Sequence, residues 1–325
     1  MQDVPALREQ FEQYLSNNLV NKEPQALYEP FRYIMSMGGK RMRPVMALLA
    51  CQMFGKDAKA ALPAALSVEV FHNFSLVHDD IMDAADIRRG QPTVHTKYGL
   101  NSGILSGDVM LIYAYDILRK TERQEAINDL VNTLSQVAIR VCEGQQYDID
   151  FETRTTVSLE EYLLMIEMKT AALLAGSLKM GAISAGASAD DQLHLSEFGR
   201  LTGIAFQIQD DYLDTFGDPS KVGKRPGGDI VQNKKTCLFI KALEEGNEAQ
   251  RKVLMQWYNE PTTNEDEKVQ AVTQIFTELG VPDSIKALRN SYQQRAYEHL
   301  EKVSVASEQK APLYGLAESL LVREL

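Results

Sequence analysis

The sequence predicts an all-α protein, and three features of its 325 residues support this class. Apolar residues recur every three to four positions through most of the chain, which is the spacing of one buried helix face. Runs of alternating apolar and polar residues long enough to form a strand are missing from the sequence. The sequence also contains no low-complexity linker, fixed repeat or change in composition that would divide it. We therefore expect a single domain over residues 1–325, in which long helices pack as a bundle.

Periodicity assigns most of the chain to helices, and two of the predicted helices begin with recognisable capping signals. Ser158 followed by Glu161 forms a capping box at the start of a long helix over 158–186. Asp190 or Asp191 can cap the next helix, over 190–216. The complete set of predicted helices is 4–19, 24–37, 44–54, 61–84, 92–98, 102–122, 125–147, 158–186, 190–216, 235–246, 248–259, 264–279, 281–304 and 310–323.

The composition describes an acidic protein with enough apolar residues for a sizeable core. The formal net charge of −11 argues against general nucleic-acid binding, which favours basic surfaces. Three cysteines without CxxC spacing indicate a reducing compartment. The chain does not open with an apolar leader, and its most membrane-like stretch, 170–189, contains Lys179 and many Ser and Gly residues. We expect a soluble cytoplasmic protein with no nucleic-acid partner and no integral membrane association.

Two aspartate clusters are the most informative feature of the chain, and each has the pattern Asp-Asp-x-x-Asp. Helical residues four apart lie on one face, so the first and last aspartate of each cluster share a face. Two acidic faces have little reason to approach one another unless a cation lies between them. Such oxygen ligands suit Mg²⁺, with Mn²⁺ as a possible substitute, and water and substrate phosphate complete the shell. The clusters are Asp79, Asp80 and Asp83, and then Asp210, Asp211 and Asp214.

The segment 217–235 is the one long stretch without helical periodicity, and it directly follows the second aspartate cluster. It is rich in Gly and Pro, and it contains several lysines. Loops of this length inside a compact domain are usually functional. A basic loop beside an acidic cluster predicts a flap that covers bound phosphate groups.

Five motifs occur in an order that resembles the trans-isoprenyl diphosphate synthases of the polyprenyl synthetase family, short-chain type. They are GGKRMRP near residue 40, HNFSLVHDDIMDAADIRRGQPTVH, FQIQDDYLD, GKRPGGDI and NKKT at 233–236. Each motif alone is weak, but the combination is specific. The resemblance implies an isoprenoid synthase-like helical bundle with a deep central cavity. It also implies an Mg²⁺-dependent prenyltransferase that joins isopentenyl diphosphate to an allylic diphosphate and makes a linear trans-prenyl diphosphate.

The resemblance gives each aspartate an expected role. Asp79, Asp83 and Asp210 would bind the metal directly, and the other three aspartates would support them directly or through water. Pyrophosphate is a poor leaving group until its charge is neutralised, which the metal ions would achieve. The released pyrophosphate is expected to take the final proton, so no side chain is assigned as the base.

Two separate diphosphate sites also follow from the resemblance, built from the fork of arginine and the point charge of lysine. The allylic diphosphate would be bound by Arg88, Lys169, Lys224 and Lys234. The isopentenyl diphosphate would be bound by Lys40, Arg43, His72 and Arg89. Helix geometry supports His72 independently, because it lies seven residues before Asp79 and so on nearly the same face. From wheel position alone, a satisfied core histidine is an equally good interpretation.

Thr170 and Gln207 are expected to stabilise the allylic carbocation with the dipoles of their side-chain oxygens. Gln207 lies three residues before Asp210, one turn away on the same face. With Lys169 and Lys224, these two residues complete the expected catalytic set. Water must be excluded from this site, because a free allylic cation would be hydrolysed.

Product length is expected to depend on the residues just before the first aspartate cluster. In the family, bulk at these positions limits how far the product can grow. Phe74 and Ser75 stand five and four positions before Asp79, and Phe71 lies one turn further up. An ideal helix places Phe74 about 140° from Asp79, so a core aromatic is the alternative interpretation. One aromatic beside a small serine is typical of farnesyl and geranylgeranyl synthases, and the uninterrupted first motif favours the geranylgeranyl product.

Several alternatives remain open from the sequence. A farnesyl or longer polyprenyl diphosphate synthase differs only in its product. A class I terpene cyclase would normally carry an Asn/Ser/Glu metal motif instead of the second aspartate cluster, and would not need Lys40 and Arg43. A non-catalytic partner subunit is disfavoured because both clusters are intact, and a calcium-binding structural protein lacks the EF-hand spacing. A homodimer is expected from the resemblance alone.

Overall fold

A computed structural model describes residues 2–218, 226–260, 262 and 264–321 of the chain. Helices make up nearly all of its regular structure, so the predicted all-α class is confirmed. Among the described residues, the strands are a hairpin of two residues each, in which Ile87–Arg88 pairs antiparallel with Gln91–Pro92. Strands this short cannot show the alternation that identifies a strand in sequence.

The residue contacts group the chain into two compact units. Unit 1 contains Met1–Val137, Leu173–Ser196 and Glu301–Leu313. Unit 2 contains Ala138–Ala172, Glu197–Leu300 and Tyr314–Leu325. The single domain expected over residues 1–325 stays a prediction.

The described residues form a series of α-helices and three shorter helical segments between them. A 3₁₀ turn precedes each of the fourth and seventh helices, at Ala58–Ala61 and Gln124–Ala126, and a π-helix at Glu167–Ala171 joins the eighth and ninth. The α-helices are α1 (Val4–Asn18), α2 (Gln25–Ser36), α3 (Met42–Gln52), α4 (Leu62–Met82), α5 (Val94–Tyr98), α6 (Leu100–Leu118), α7 (Ile127–Thr153), α8 (Leu159–Ile166), α9 (Ala172–Ala185), α10 (Ala189–Phe216), α11 (Gly228–Val231), α12 (Cys237–Glu245), α13 (Glu248–Asn259), α14 (Glu265–Glu278), α15 (Val281–Lys302) and α16 (Ser307–Leu321).

Unit 1 is built around α4, whose side chains are buried along most of its length. The helix is apolar on nearly every side, as expected for a helix with neighbours all around it. On one side it meets α6 so closely that a Cβ on Gly107 would overlap the ring of His78. The Ser67 hydroxyl also donates to the carbonyl oxygen of Ala114 on α6 at 2.6 Å. This packing fixes the C-terminal end of α4, where the first aspartate cluster lies.

The segment Ala58–Met82 is the one helix in the described ranges with the length and apolar composition needed to cross a membrane. However, 78% of its apolar window is buried inside the structure. The core helix of a soluble protein has these same properties. The expected absence of integral membrane association stays a prediction.

Unit 2 has its own hydrophobic core, formed by α8, part of α10 and the helices from α12 to α15. Tyr162 and Phe276 are almost completely buried in it, and Phe239 stacks on Tyr258 with the ring centroids 4.0 Å apart. The predicted capping box at Ser158 is confirmed, because both of its hydrogen bonds to Glu161 are present. The box fixes where α8 begins and so orients Tyr162 towards the core.

The predicted cap of α10 is wrong. The helix begins one residue earlier than expected, at Ala189, so the capping residue is Ser188. Its hydroxyl oxygen accepts a hydrogen bond from the backbone N–H of Asp191 at 3.1 Å. The Asp191 carboxylate accepts from the Ser188 hydroxyl at 2.7 Å and from the backbone N–H of Ser304 at 2.7 Å, which ties α10 to a later part of unit 1.

The helix predicted over 158–186 is interrupted by the π-helix at Glu167–Ala171. Two glycines allow neighbouring helices to approach this segment. A Cβ on Gly144 of α7 would lie 2.8 Å from the Cα of Lys169, and one on Gly203 of α10 would lie 2.6 Å from the Cα of Ala171. Real Cβ atoms do not approach other atoms so closely, so both positions require glycine.

An ion-pair network holds the first residue of the π-helix. The Glu167 carboxylate accepts hydrogen bonds from Arg140 on α7 and from Arg200 on α10, the second at 2.7 Å. Arg200 also donates to Glu197 on its own helix. Because both neighbouring helices bind the same carboxylate, the wider turn is fixed by tertiary contacts and not by local sequence. Single π turns inside helices occur frequently at functional sites.

The predicted flap over 217–235 is described only in part. Residues 219–225, which include Lys224, lie outside the described residues. The later half is not structureless, because it contains the short helix α11. Buried Lys268 on α14 donates to the side-chain oxygen of Asn233, and so attaches the segment before Lys234 to the core of unit 2.

Replacement of Gly144 by alanine tests the role of close packing at the π-helix. The added methyl group would overlap the backbone at Lys169, so we expect the free energy of unfolding to fall by about 1–3 kcal/mol. Gly315→Ala is the matched control, because a Cβ at that helical position would meet no other described part of the chain within 4 Å. The control should be neutral or slightly stabilising. Urea unfolding of both variants measures the difference, and equal midpoints would show that α7 does not constrain the π-helix.

Candidate active site

The first aspartate cluster occupies the end of α4 in unit 1. Asp79 lies in the last turn and Asp83 is the C-terminal capping residue, whose N–H donates to the Asp79 carbonyl oxygen at 2.9 Å. One helical turn therefore separates the two carboxylates, as the sequence predicts. Asp83 is exposed, and the Asp79 side chain is partly exposed. Both have the accessibility that a metal ligand requires.

Asp80 differs from its two neighbours because it points into the protein and is only 1% exposed. Both of its oxygens accept from Nε of Arg88 at 2.8 Å, and one also accepts from Nη2 at 2.7 Å. Arg88 lies in the two-residue strand after α4, and its Nη2 is 3.7 Å from Asp79. The buried carboxylate thus holds the Arg88 guanidinium beside the more exposed aspartate.

A second group of basic side chains in unit 1 forms around Arg43. Its Nη1 donates to Nε2 of His72 at 3.1 Å, and its Nε is buried with no hydrogen-bond partner in the described part of the chain. Arg89 lies close by, and its Nη1 donates to the Gly38 carbonyl oxygen at 2.5 Å. A buried guanidinium N–H without an acceptor is costly, and an anionic ligand would satisfy it.

The protonation states of this group follow from its surroundings. Burial and the positive charges of Arg43 and Arg89 lower the pKa of His72 well below its ordinary value. A neutral His72 accepts from Arg43 at Nε2, which leaves its proton on Nδ1. Burial, and more weakly the charge of Arg89, lower the pKa of Arg43 to about 10, so that it remains a cation near neutral pH. The predicted residues Arg43, His72 and Arg89 are brought together, and Lys40 is exposed on the loop before α3.

Arg41, which the sequence did not single out, has a different role from its basic neighbours. It is buried, and it donates to Glu69 at 2.6 Å, to Glu12 at 2.8 Å and to the Met35 carbonyl oxygen at 2.7 Å. Its φ of 48° is in the left-handed region, which a non-glycine residue adopts only at some cost. The buried ion pairs fix this turn, and so position the segment that carries Lys40 and Arg43.

The residues predicted to control product length lie on α4 above the first cluster. Phe71 is fully buried and Phe74 nearly so, with ring centroids 5.5 Å apart. The Ser75 hydroxyl donates to the His72 carbonyl oxygen on its own helix at 2.8 Å. His78, which the sequence did not single out, packs edge-on against Phe74 at 4.9 Å. Phe74 is therefore held in place from both sides along the helix.

The second aspartate cluster lies near the end of α10, in unit 2. Asp210 is exposed, whereas Asp211 is only 6% exposed. Asp214 accepts a hydrogen bond from the N–H of Asp229 at 2.9 Å, and its carbonyl oxygen accepts from Gly227 at 2.7 Å. Asp214 thus anchors the chain that returns after residue 225, while Asp210 has the exposure needed for a ligand.

Asp211 is enclosed by protein groups. Its oxygens accept from the Tyr162 hydroxyl at 2.5 Å and from Nε2 of Gln207 at 3.0 Å, and the Cys237 thiol lies 3.9 Å away. Burial, together with the charge of Asp229, raises the pKa of Asp211 to about 8 in the metal-free protein. A divalent cation bound at the neighbouring Asp210 would favour the ionised carboxylate.

The π-helix carries two of the predicted site residues of unit 2. The Thr170 hydroxyl donates to Oε1 of Gln207 at 3.0 Å. Nζ of Lys169 donates to Asp148 on α7 at 2.5 Å. The structure therefore joins Thr170 to Gln207 directly, and it adds Asp148, which no sequence motif indicated. Lys234 lies in the segment after α11, and its Nζ is 3.7 Å from Oδ1 of Asp229.

Comparison with known proteins identifies the family. The polyprenyl synthetase family model matches residues 24–275, which is most of the chain. The chain belongs to the polyprenyl synthetase family.

Similar polyprenyl synthetases cover almost the whole chain. A geranylgeranyl diphosphate synthase from Methanosarcina mazei is 41% identical over 93% of this chain and 91% of its own. A crystal structure of a geranylgeranyl pyrophosphate synthase is 43% identical, with a TM-score of 0.95 and complete coverage of both chains. A geranylgeranyl pyrophosphate synthase from Corynebacterium glutamicum, complexed with isoprenyl diphosphate and magnesium, is 28% identical with a TM-score of 0.85 over 98% of each chain.

These matches confirm the predicted family and the predicted prenyltransferase activity class. Polyprenyl synthetases use a divalent metal to bind diphosphate, and this chain is expected to do the same. In the described part of the chain, no three His, Cys, Asp or Glu side chains converge closely enough to hold a metal ion by themselves. The donors at both clusters are carboxylate oxygens, which fit a hard divalent cation. The role of each predicted residue stays a prediction.

The lowered pKa of His72 predicts how stability depends on pH. The folded state binds this proton only at lower pH than the unfolded state does, so acid favours unfolding once the ordinary histidine pKa is passed. We expect wild-type stability to fall between about pH 7.5 and about pH 5.5. His72→Gln should reduce this loss, because the variant has no group to protonate at that position. Urea unfolding at both pH values measures it, and identical pH dependence in the two proteins would contradict a neutral His72.

Proposed function

We propose that the chain is a geranylgeranyl diphosphate synthase, which condenses isopentenyl diphosphate with allylic diphosphates. The observation that carries this proposal is the basic group around Arg43, where, among the described residues, a buried N–H has no acceptor beside neutral His72 and Arg89. This group can bind a second diphosphate. A terpene cyclase, which acts on a single prenyl diphosphate, has no use for such a site. The geranylgeranyl synthases among its relatives support the same activity.

The binding site for the isopentenyl diphosphate is proposed to contain Lys40, Arg43, His72 and Arg89. Arg43 and Arg89 offer N–H forks that match phosphate oxygens, and Lys40 adds a mobile charge. Neutral His72 with its proton on Nδ1 can donate one further hydrogen bond. Gly39, with a φ of 131°, leaves room for the Arg89 guanidinium, since a Cβ there would lie 3.2 Å from it.

The allylic diphosphate is proposed to be bound with Mg²⁺, as supported by the magnesium complex of the Corynebacterium relative. Asp79, Asp83 and Asp210 are the proposed direct ligands, as the family resemblance implies. Mg²⁺ would neutralise the diphosphate and make it a competent leaving group. Arg88, held by Asp80, is proposed to bind the same diphosphate. Lys169 and Lys234 are proposed to bind it as well, with Lys224, which lies outside the described residues.

The remaining steps of the reaction require a carbocation to be stabilised and then deprotonated. The side-chain oxygens of Thr170 and Gln207 are proposed to face the positive charge that develops as the carbon–oxygen bond breaks. The double bond of isopentenyl diphosphate then attacks the cation, and a proton leaves the new cation. The released pyrophosphate is proposed to accept that proton.

A twenty-carbon product is supported by the names of the relatives and by the position of Phe74. The ring is fixed between Phe71 and His78, so it has little freedom to move aside for a longer chain. Ser75 is smaller and turned to its own helix. We propose that Phe74 forms the end wall of the product pocket.

A homodimer is supported by one face of α6 in unit 1. Four large apolar side chains are exposed there, although they lie on an otherwise well-packed helix. Exposed apolar patches of this kind commonly mark protein interfaces. We propose that this face, defined by Leu100, Ile104, Leu105 and Ile112, contacts a second copy of the chain.

Cytoplasmic localisation stays a prediction.

Product analysis tests the proposed function. The purified protein is incubated with Mg²⁺ and isopentenyl diphosphate, and with dimethylallyl, geranyl or farnesyl diphosphate in separate reactions. Linear geranylgeraniol after dephosphorylation is the expected result. Cyclic hydrocarbons formed without isopentenyl diphosphate would indicate a cyclase, and no turnover with any primer would indicate a non-catalytic subunit.

The same assay with Phe74→Ala tests the end wall. Removal of the ring should lengthen the product by at least one five-carbon unit, because the space becomes available to the chain. Phe74→Tyr is the matched control, since it keeps the bulk and should keep the product. An unchanged product in Phe74→Ala would assign Phe74 to the hydrophobic core only.

A further inference from the structure

We propose that Asp211 and Tyr162 are positioning residues that hold the Gln207 side chain with its oxygen towards Thr170. This inference rests on the proposed function, because Gln207 and Thr170 are the residues assigned there to carbocation stabilisation. It gives Asp211 a role other than metal binding, and it adds Tyr162, which lies 49 positions away in sequence.

Four side chains of unit 2 form a continuous chain of hydrogen bonds. The Thr170 hydroxyl donates to Oε1 of Gln207 at 3.0 Å. Nε2 of Gln207 donates to Oδ1 of Asp211 at 3.0 Å. The Tyr162 hydroxyl donates to Oδ2 of the same carboxylate at 2.5 Å. Both oxygens of Asp211 are therefore engaged by the protein, one by each neighbour.

The carboxylate decides which way the Gln207 amide points. An amide presents an oxygen acceptor on one side and an NH₂ donor on the other, and rotation by half a turn exchanges them. A threonine hydroxyl can donate or accept, so Thr170 accommodates either orientation. Oδ1 of Asp211 acts as an acceptor in this arrangement, so it pairs with the NH₂ group and the amide oxygen is directed to Thr170.

Tyr162 keeps this carboxylate in place. Its ring is 2% exposed within the core of unit 2, so the hydroxyl has a fixed position. With Oδ2 bound to the hydroxyl, the carboxylate cannot rotate away from Gln207. The Cys237 thiol packs against the same oxygen at 3.9 Å. Little water can reach Asp211, and hydrogen bonds in such surroundings are stronger than in water.

The orientation matters for the proposed reaction. The oxygen end of an amide dipole is negative and stabilises a nearby carbocation, whereas the NH₂ end is positive and would destabilise it. Loss of the Tyr162 hydroxyl should release the carboxylate and let the amide populate both orientations. We expect kcat to fall about 10- to 100-fold, by analogy with the loss seen when the hydrogen-bond partner of a metal ligand is removed. KM for both diphosphates should change little, because the proposal gives Tyr162 and Asp211 no contact with either diphosphate.

A double-mutant cycle tests the proposal. The variants Tyr162→Phe, Gln207→Leu and their combination are compared with wild type by kcat and KM. If Tyr162 acts through Gln207, Tyr162→Phe lowers kcat in the wild-type background and has no further effect in Gln207→Leu. An equal loss of kcat in both backgrounds would overturn the proposal, as would an unchanged kcat in Tyr162→Phe alone.

Tyr297→Phe is the matched control, since it also removes a hydroxyl that is bonded to a glutamine, Gln293, in unit 2. It should leave kcat within about 2-fold of wild type, because a lost surface-proximal hydrogen bond affects stability and not turnover. A loss of kcat in this control equal to that of Tyr162→Phe would count against a specific role for Tyr162. If Gln207→Leu alone leaves kcat unchanged, the proposed catalytic role of Gln207 fails, and the positioning proposal is overturned with it.

Neutron diffraction on the deuterated wild-type protein provides a test that no folding defect can affect. It locates deuterium atoms and so distinguishes the nitrogen of an amide from its oxygen. We expect the two amide deuterons of Gln207 on the side of Asp211. Deuterons on the side of Thr170 would overturn the proposal, even if turnover and the proposed function were confirmed.

Discussion

Adjacent residues of a helix point about 100° apart, and the chemistry proposed for this chain depends on that angle at both Asp-Asp pairs. In each pair the first side chain is accessible and the second is buried. Asp79 is accessible at the end of α4, while Asp80 holds Arg88. Asp210 is exposed near the end of α10, while Asp211 is buried and accepts hydrogen bonds from Tyr162 and Gln207. One residue of each pair can therefore bind metal, and the other can position a second functional group.

The arginines divide into two roles in a similar way. Arg41 and Arg88 are paired with buried carboxylates, so their charges are compensated inside the protein and their positions are fixed. Arg43 and Arg89 instead lie beside neutral His72, and Nε of Arg43 is buried with no acceptor among the described residues. A buried guanidinium N–H in that position favours an anionic ligand. Arg41 fixes a turn of the fold, Arg88 is positioned for the proposed allylic diphosphate, and the group around Arg43 provides the proposed second diphosphate site.

Much of the fold and the family could be predicted from the sequence, because helical periodicity and motif order are local properties. The all-α class, the capping box at Ser158 and the helical placement of both clusters depend on neighbours in sequence. The π-helix does not, because the close approach of other helices at Gly144 and Gly203 is a tertiary contact. The roles of Tyr162 and His78 could not be predicted either, since each depends on a partner distant in sequence. No periodicity reveals which aspartate of a pair is buried, because the answer depends on what packs around the helix.

The most direct test of this account is the Mg²⁺ dependence of turnover in four isosteric variants, Asp79→Asn, Asp80→Asn, Asp210→Asn and Asp211→Asn. The accessible aspartates should behave as ligands, so their variants should need more Mg²⁺ for half-maximal rate. The buried aspartates should leave the Mg²⁺ requirement unchanged. Asp80→Asn should raise KM for the allylic diphosphate through Arg88, and Asp211→Asn should lower kcat. An equal increase in Mg²⁺ requirement in all four variants would contradict the division of roles within each pair.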